Sequence, residues 1–143
     1  MRLDTSAFLA VLLASTGLTQ TEAAALLQVD GRTVRRWLEG TRPTPKVVIE
    51  RLRALADALD QTAQAITMNL GVPALLLLYR RDRDVPPWTG LRTAGCHLAL
   101  VRRVFERRPD VQLIAFDRTA YRYWLGPRAD GEEMRAAWGA SRV

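Results

Sequence analysis

LTQTEAAALLQVDGRTVRRWLEGTRPTP, residues 18–45, decides how the rest of the chain is read. Thr19-Gln20-Thr21-Glu22 has the S/T-x-x-E form of a capping box, so a helix is expected to begin just after Thr19. Ala23, Ala24 and Leu27 give that helix one small, apolar side. Asp30 is a good cap for a second helix, and Gly40 followed by Pro43 and Pro45 is a good stop for it. At about 100° per residue, Val34, Trp37 and Leu38 share one side of this second helix. Arg32, Arg35, Arg36 and Glu39 fall on the opposite arc, with Thr33 at its flank. Three guanidinium groups on one exposed arc repel one another, and nothing local requires them. A polyanion relieves that repulsion and releases counterions, and the Arg fork matches guanine O6/N7 in a major groove. The second helix therefore reads as a recognition helix.

The same segment resembles the helix-turn-helix of lambda-repressor-like (Cro/CI, Xre-type) regulators. Gln20 is similar to the opening glutamine of that motif, and Ala24 to the small residue that lets the two helices cross closely. Val29 resembles its apolar turn residue, and Val34 and Trp37 the apolar pair that seats the second helix. The resemblance implies that Gly31, Arg32 and Arg36 approach base edges, with Arg35 beside them. It implies phosphate contacts for Gln20 and Thr33, to which Arg42 and Lys46 add positive charge. The chain departs from the motif at Gln28, where the turn usually carries glycine. A non-glycine residue in the left-handed region costs on the order of 1 kcal/mol.

Charge placement agrees with this reading. The formal net charge is +6 and the isoelectric point about 10.6, which favours an anionic partner. Only Lys46 among the 21 Lys and Arg residues is lysine, a bias that genome composition explains as well as phosphate chemistry does. Position is more informative. Residues 31–53 gather Arg32, Arg35, Arg36, Arg42, Lys46, Arg51 and Arg53 against Glu39 and Glu50. Arg35 and Glu39 have i,i+4 spacing, and Arg51 and Arg53 fit a solvated helix face around Glu50, whereas Arg32, Arg36 and Arg42 have no acid in easy reach.

Upstream, Asp4 or Thr5 caps a first helix over residues 4–16, with Phe8, Val11 and Leu12 as its apolar stripe and Gly17 as its end. Downstream, Thr44 serves as cap and Pro45 as first helical residue of a long periodic stretch. Val48, Leu52, Leu55, Leu59, Ala63 and Ile66 recur there at spacings of three or four, in one helix or in two broken near Asp60. Residues 1–70 are thus expected to form the DNA-binding domain.

From Gly71 the character changes. Val72 to Tyr79 is a short apolar run suited to a buried strand, and 80–87 a polar loop. Leu91, Leu98, Val101, Val104 and Phe105 give one apolar face to a helix running from about Arg92 to Arg107. Val111 to Phe116 reads as a second strand, Asp117 caps a helix carrying Tyr121, Trp124 and Leu125, and Asp130 to Trp138 forms a last one. A helix of this length between the strands allows a parallel crossover. Two strands alone leave open edges, which pairing with a second copy would cover. Residues 71–143 are therefore expected to dimerise the protein, through Leu76, Leu78, Val111, Leu113, Tyr121 and Trp124. This region resembles, by architecture and the VQLIAFDRTAYRYW stretch, small phage-borne regulators that include anti-CRISPR-associated autorepressors.

The fold class expected is mainly α with a small α/β part, a helix-turn-helix bundle followed by a strand–helix–strand region. Hydrophobic residues make up 48% of the chain, enough for a core. Cys96 is the single cysteine, so no internal disulfide or cysteine-based zinc site can form. Cys96 and His97 diverge by about 100° on a helix and cannot face each other as a dyad; both read as structural. Tyr121, Tyr123 and Trp124 could stack on bases, but the helical spacing of Tyr121, Trp124 and Leu125 favours core or dimer contact. Trp88, in a Pro-Pro-Trp loop, is a candidate partner contact. No catalytic constellation assembles, so neither enzyme activity nor a cofactor is expected. The start MRLDTSAFLA lacks a leader's apolar core, and no run reaches the roughly 20 residues that span a bilayer, so a cytoplasmic protein is expected.

The function these features imply is sequence-specific binding of double-stranded DNA by a homodimer, a repressor reading an inverted repeat. Two other readings stay open at this level: an antitoxin-type protein whose C-terminal region holds a protein partner, and RNA binding by the same basic face.

Overall fold

The computed structural model describes residues 4–143, in two compact units that part between Gln61 and Thr62. That division lies inside a helix, upstream of the boundary expected at Gly71.

The first unit holds α1 (Thr5–Thr16), α2 (Gln20–Leu27), α3 (Gly31–Glu39) and the opening turns of α4 (Lys46–Asn69). Asp4 caps α1 by accepting from the amides of Ser6 and Ala7, and Gly17 ends it at φ 72°. The side of α1 that turns inward carries Leu9, Leu12, Leu13 and Thr16. Phe8 and Val11, expected in the stripe, stay exposed; Phe8 lies beneath the Arg53 guanidinium, 5.8 Å from its ring centre. The core joins α1 to Ala23 and Ala24 of α2, Val34 and Trp37 of α3, and Val48, Leu52 and Ala56 of α4. Each large side chain buried there contributes about 1.5–3 kcal/mol by leaving water.

α4 runs unbroken past Asp60, so of the two readings of that stretch the single helix is the right one. Its buried line follows Val48, Leu52, Ala56, Leu59 and Ala63; Leu55 lies half-buried beside it. The Thr44 hydroxyl does not cap α4. It is buried without a hydrogen-bond partner among the described residues, while the Thr44 amide donates to Thr5 Oγ1 at 3.3 Å.

In the second unit β1 (Leu75–Leu78) and β2 (Gln112–Ala115) pair in parallel, Leu75 opposite Gln112 and Leu78 opposite Ala115. α5 (Ala94–Arg107) is the crossover between them, capped by Thr93, and α6 (Arg118–Leu125) and α7 (Glu132–Ala140) follow. Both strands are shorter than the apolar runs that announced them. α5 packs through Cys96, His97, Leu100, Val101 and Val104; Leu98 and Phe105, expected on that face, point to solvent at 53% and 46% exposure. α7 approaches β1 so closely that a Cβ on Gly139 would stand 3.0 Å from Leu77 Cδ2. Tyr121, Leu125 and Trp138 centre an aromatic core with Phe116.

That core corrects the expected dimer surface. Val111 and Tyr121 are buried within the unit, at 6% and 3% exposure, and cannot meet a second copy. Leu113 is exposed, and Leu76, Leu78 and Trp124 are half-buried. The helical spacing that links Tyr121 to Leu125 marks a buried side, and α7, absent from the expected interface, is what buries it.

Candidate nucleic-acid interface

α2, a three-residue turn and α3 carry the candidate site. The capping box is complete: Thr19 accepts from the Glu22 amide at 3.1 Å, and Glu22 accepts from the Thr19 amide at 3.0 Å. α2 lies at 99° to α1. Its end is set by Gln28 at φ 56° and ψ 44°, the only non-glycine residue of positive φ among those described. The Gln28 amide donates to the carbonyls of Ala24 and Ala25, and the Val29 amide to that of Ala24, so the turn closes despite its missing glycine. Asp30 then starts α3 by accepting from the Arg32 amide at 2.8 Å.

α3 is held by one side only. Val34 is fully buried and Trp37 4% exposed, and α3 packs on both α1 and α2. A helix so anchored has no freedom to roll its opposite side inward. Gly31, Arg32, Arg35 and Arg36 all lie exposed on the surface, while Thr33 is half-buried at the flank. Arg35 reaches Glu39 at 4.0 Å, an open pair of little energetic weight. Among the described residues no ion pair or hydrogen bond engages the guanidinium of Arg32, Arg36 or Arg42. These are uncompensated charges on a rigid support.

The structure brings the remaining expected residues to the surface as well. Gln20 is exposed at the first position of α2. Arg42 is exposed just beyond α3, where the amides of Thr41 and Arg42 and the Thr41 hydroxyl all donate to the Arg36 carbonyl. Thr41 thereby fixes the backbone that carries Arg42, a part the sequence reading missed. Its only sequence signal is its place after the Gly40 stop. Lys46 is exposed at the start of α4 and stands 3.7 Å from Glu50. Gly31 has open space around it: a Cβ built there meets nothing within 4 Å.

Residues 7–42 match a family model for homeodomain-like domains. That span takes in all of α2, the turn and α3, together with most of α1. The match supports a helix-turn-helix DNA-binding domain in this part of the chain, and with it a DNA-binding regulator in the general sense. A search of curated proteins finds no match. No cluster of His, Cys, Asp and Glu able to hold a metal occurs among the described residues, and no single helix among them is long and apolar enough to cross a membrane.

Proposed function

We propose that the protein is a sequence-specific transcriptional regulator of the lambda-repressor-like, Xre type, a dimeric repressor or autorepressor that reads an inverted repeat through the major groove. The observation that carries this is the two-sided build of α3. Val34 and Trp37 lock one side, and Arg32 and Arg36 extend from the other with no internal partner. Arg32, Arg35 and Arg36 take the base-reading role, with Gly31 leaving space for a base edge or sugar to come close to the helix start. Gln20, Thr33, Arg42 and Lys46 set register on phosphates.

Residues 71–143 supply the dimer contact in this reading, and 1–70 the reading head. Leu76, Leu78, Leu113 and Trp124 remain accessible for that contact, beside a two-stranded sheet with unpaired outer edges. Exposed Leu98 and Phe105 on α5 add apolar surface to the same unit. Two copies would set their α3 helices in successive major grooves about 34 Å apart.

Footprinting on the DNA upstream of its own gene tests the proposal. The expected result is two protected half-sites about one helical turn apart, bound by a protein that sediments as a dimer. Binding without preference over random DNA would defeat it. Co-purification of a stoichiometric foreign protein on residues 71–143 would shift the case to an antitoxin-type protein, and preference for a structured transcript would shift it to RNA. Affinity is also expected to fall steeply with salt, log K declining linearly with log salt as phosphate contacts release counterions. A flat titration between 50 and 200 mM, roughly the range over which such contacts are lost, would contradict the phosphate contacts.

A further inference from the structure

A cavity of about 590 Å3 opens inside the second unit, walled by the last turns of α4, by β1, α5 and α7 and by the loop carrying Trp88. Its lining is mainly apolar, with Ile66, Leu75, Leu77, Leu100 and Val101. Voids left by imperfect packing are rarely larger than a water molecule, whereas pockets for small organic ligands run from about 300 to 1,000 Å3.

His97 lines this cavity at 4% exposure, and its Nδ1 is buried with no hydrogen-bond partner among the described residues. Tyr79 meets the imidazole edge-on, with ring centres 4.8 Å apart, and offers it no hydrogen bond. Buried polar atoms in folded proteins are nearly always satisfied, so an orphan beside a cavity points at an occupant. Charge narrows what that occupant can be. The guanidinium of Arg135, the one in the wall, is already engaged: Nε and Nη2 clasp Asp130 at 3.0 and 2.8 Å, and Nη1 donates to the Asp84 carbonyl at 2.7 Å. The lining carboxylate, Glu132, is exposed to water. Neither an anion nor a cation finds an uncommitted buried partner there.

We propose that this cavity is a binding site for an uncharged, mostly apolar small molecule whose single hydroxyl hydrogen-bonds His97 Nδ1. A hydroxyl both donates and accepts, so it satisfies Nδ1 in either imidazole tautomer. The site stands apart from the DNA reading, since every group in it belongs to residues 62–143.

His97 is the chain's one histidine, so imidazole 15N signals of the labelled full-length protein belong to it alone. Titration with 4-propylphenol is expected to shift the Nδ1 resonance saturably at one molecule per chain. Propylbenzene, the same shape without the hydroxyl, is expected to bind about fivefold more weakly, the worth of one hydrogen bond. His97→Phe should bring the two affinities together when binding is followed by Trp fluorescence. Ala136→Trp, at an exposed part of the wall, should block uptake while the far-ultraviolet circular dichroism stays unchanged. If that variant does not fold, the His97→Phe comparison decides alone. Equal affinity of wild type for both compounds, no saturable shift, or uptake undiminished in folded Ala136→Trp would overturn the proposal. So would exclusion of both probes together with an Nδ1 signal that moves with protein concentration, which would place a second copy's side chain in the cavity.

Discussion

Three single residues hold more of this protein's behaviour than their neighbours do. Gln28 sits in the left-handed region that glycine occupies at little cost, in the turn that sets α3 against α2. Gln28→Gly is expected to stabilise the first unit by up to about 1 kcal/mol, whereas Gln28→Val, β-branched at positive φ, should lose more than that. Thermal denaturation of the two variants checks the sign of each. Arg36 is exposed and unpaired, so its removal should leave stability alone. Under the proposed function Arg36→Ala costs about 1–3 kcal/mol of operator binding and relaxes one position. Equal weakening on operator and random DNA would instead make it a phosphate contact. Burial pushes the His97 imidazole down to about 4, from the ordinary 6.5. The unfolded chain then takes up its proton near 6.5 and the folded chain only near 4. Across that window the unfolded state binds more protons, so stability falls as pH falls, by about 3 kcal/mol in all. Urea denaturation at pH 7 and pH 4.5 should show the decline, and His97→Phe should remove most of it.

Among the elements, α3 and α7 show two uses of arginine. On α3 the helix is pinned by Val34 and Trp37, and its arginines are left for something outside. On α7 a single arginine is spent internally. Arg135 clasps Asp130 bidentately, ties down the Asp84 carbonyl and lies 4.7 to 5.5 Å from the ring centres of Phe116, Trp88, Tyr121 and Tyr79. Tyr121 donates to the same Asp130 carboxylate, which Arg135 holds below the usual carboxylate range. Removing the guanidinium leaves the Asp130 carboxylate with Tyr121 but no counter-charge, and takes the Arg135 donor from the Asp84 carbonyl. Arg135→Met is expected to cost the second unit on the order of 2–3 kcal/mol, read by urea denaturation. Arg135→Lys should recover little, because an ammonium cannot replace the planar fork. A loss below about 0.5 kcal/mol, the size of an ordinary surface change, would show that the clasp is ornamental.

For the whole molecule, the roles proposed for the two units rest on where particular groups lie. The unpaired guanidiniums of Arg32, Arg36 and Arg42 all belong to the first unit, and the cavity with its orphan imidazole to the second. α4 belongs to both, since Val48, Leu52 and Ala56 enter the first core while Thr62, Ile66 and Asn69 line the cavity. Exposed Leu98, Phe105 and Leu113 give the second unit the apolar surface that the proposed dimer needs.

What the sequence determined by itself was the local grammar of residues 18–45. Capping residues, stop signals and the Val34/Trp37 spacing act within a few turns of chain, so the two helices, the strained turn at Gln28 and the outward arginines were all legible. The helix between the two strands allowed a parallel crossover, and the structure pairs β1 and β2 in that way. The faces of α1 and α5 were not: each has apolar residues on more than one side, and only the packed neighbours select Leu9 over Phe8 and Leu100 over Leu98. Tertiary structure alone placed Tyr121 and Val111 inside, converged four rings on Arg135, and left His97 in a cavity wall with its Nδ1 buried and unpartnered. Those arrangements join residues far apart in the chain, and no short-range signal encodes which distant side chains will meet.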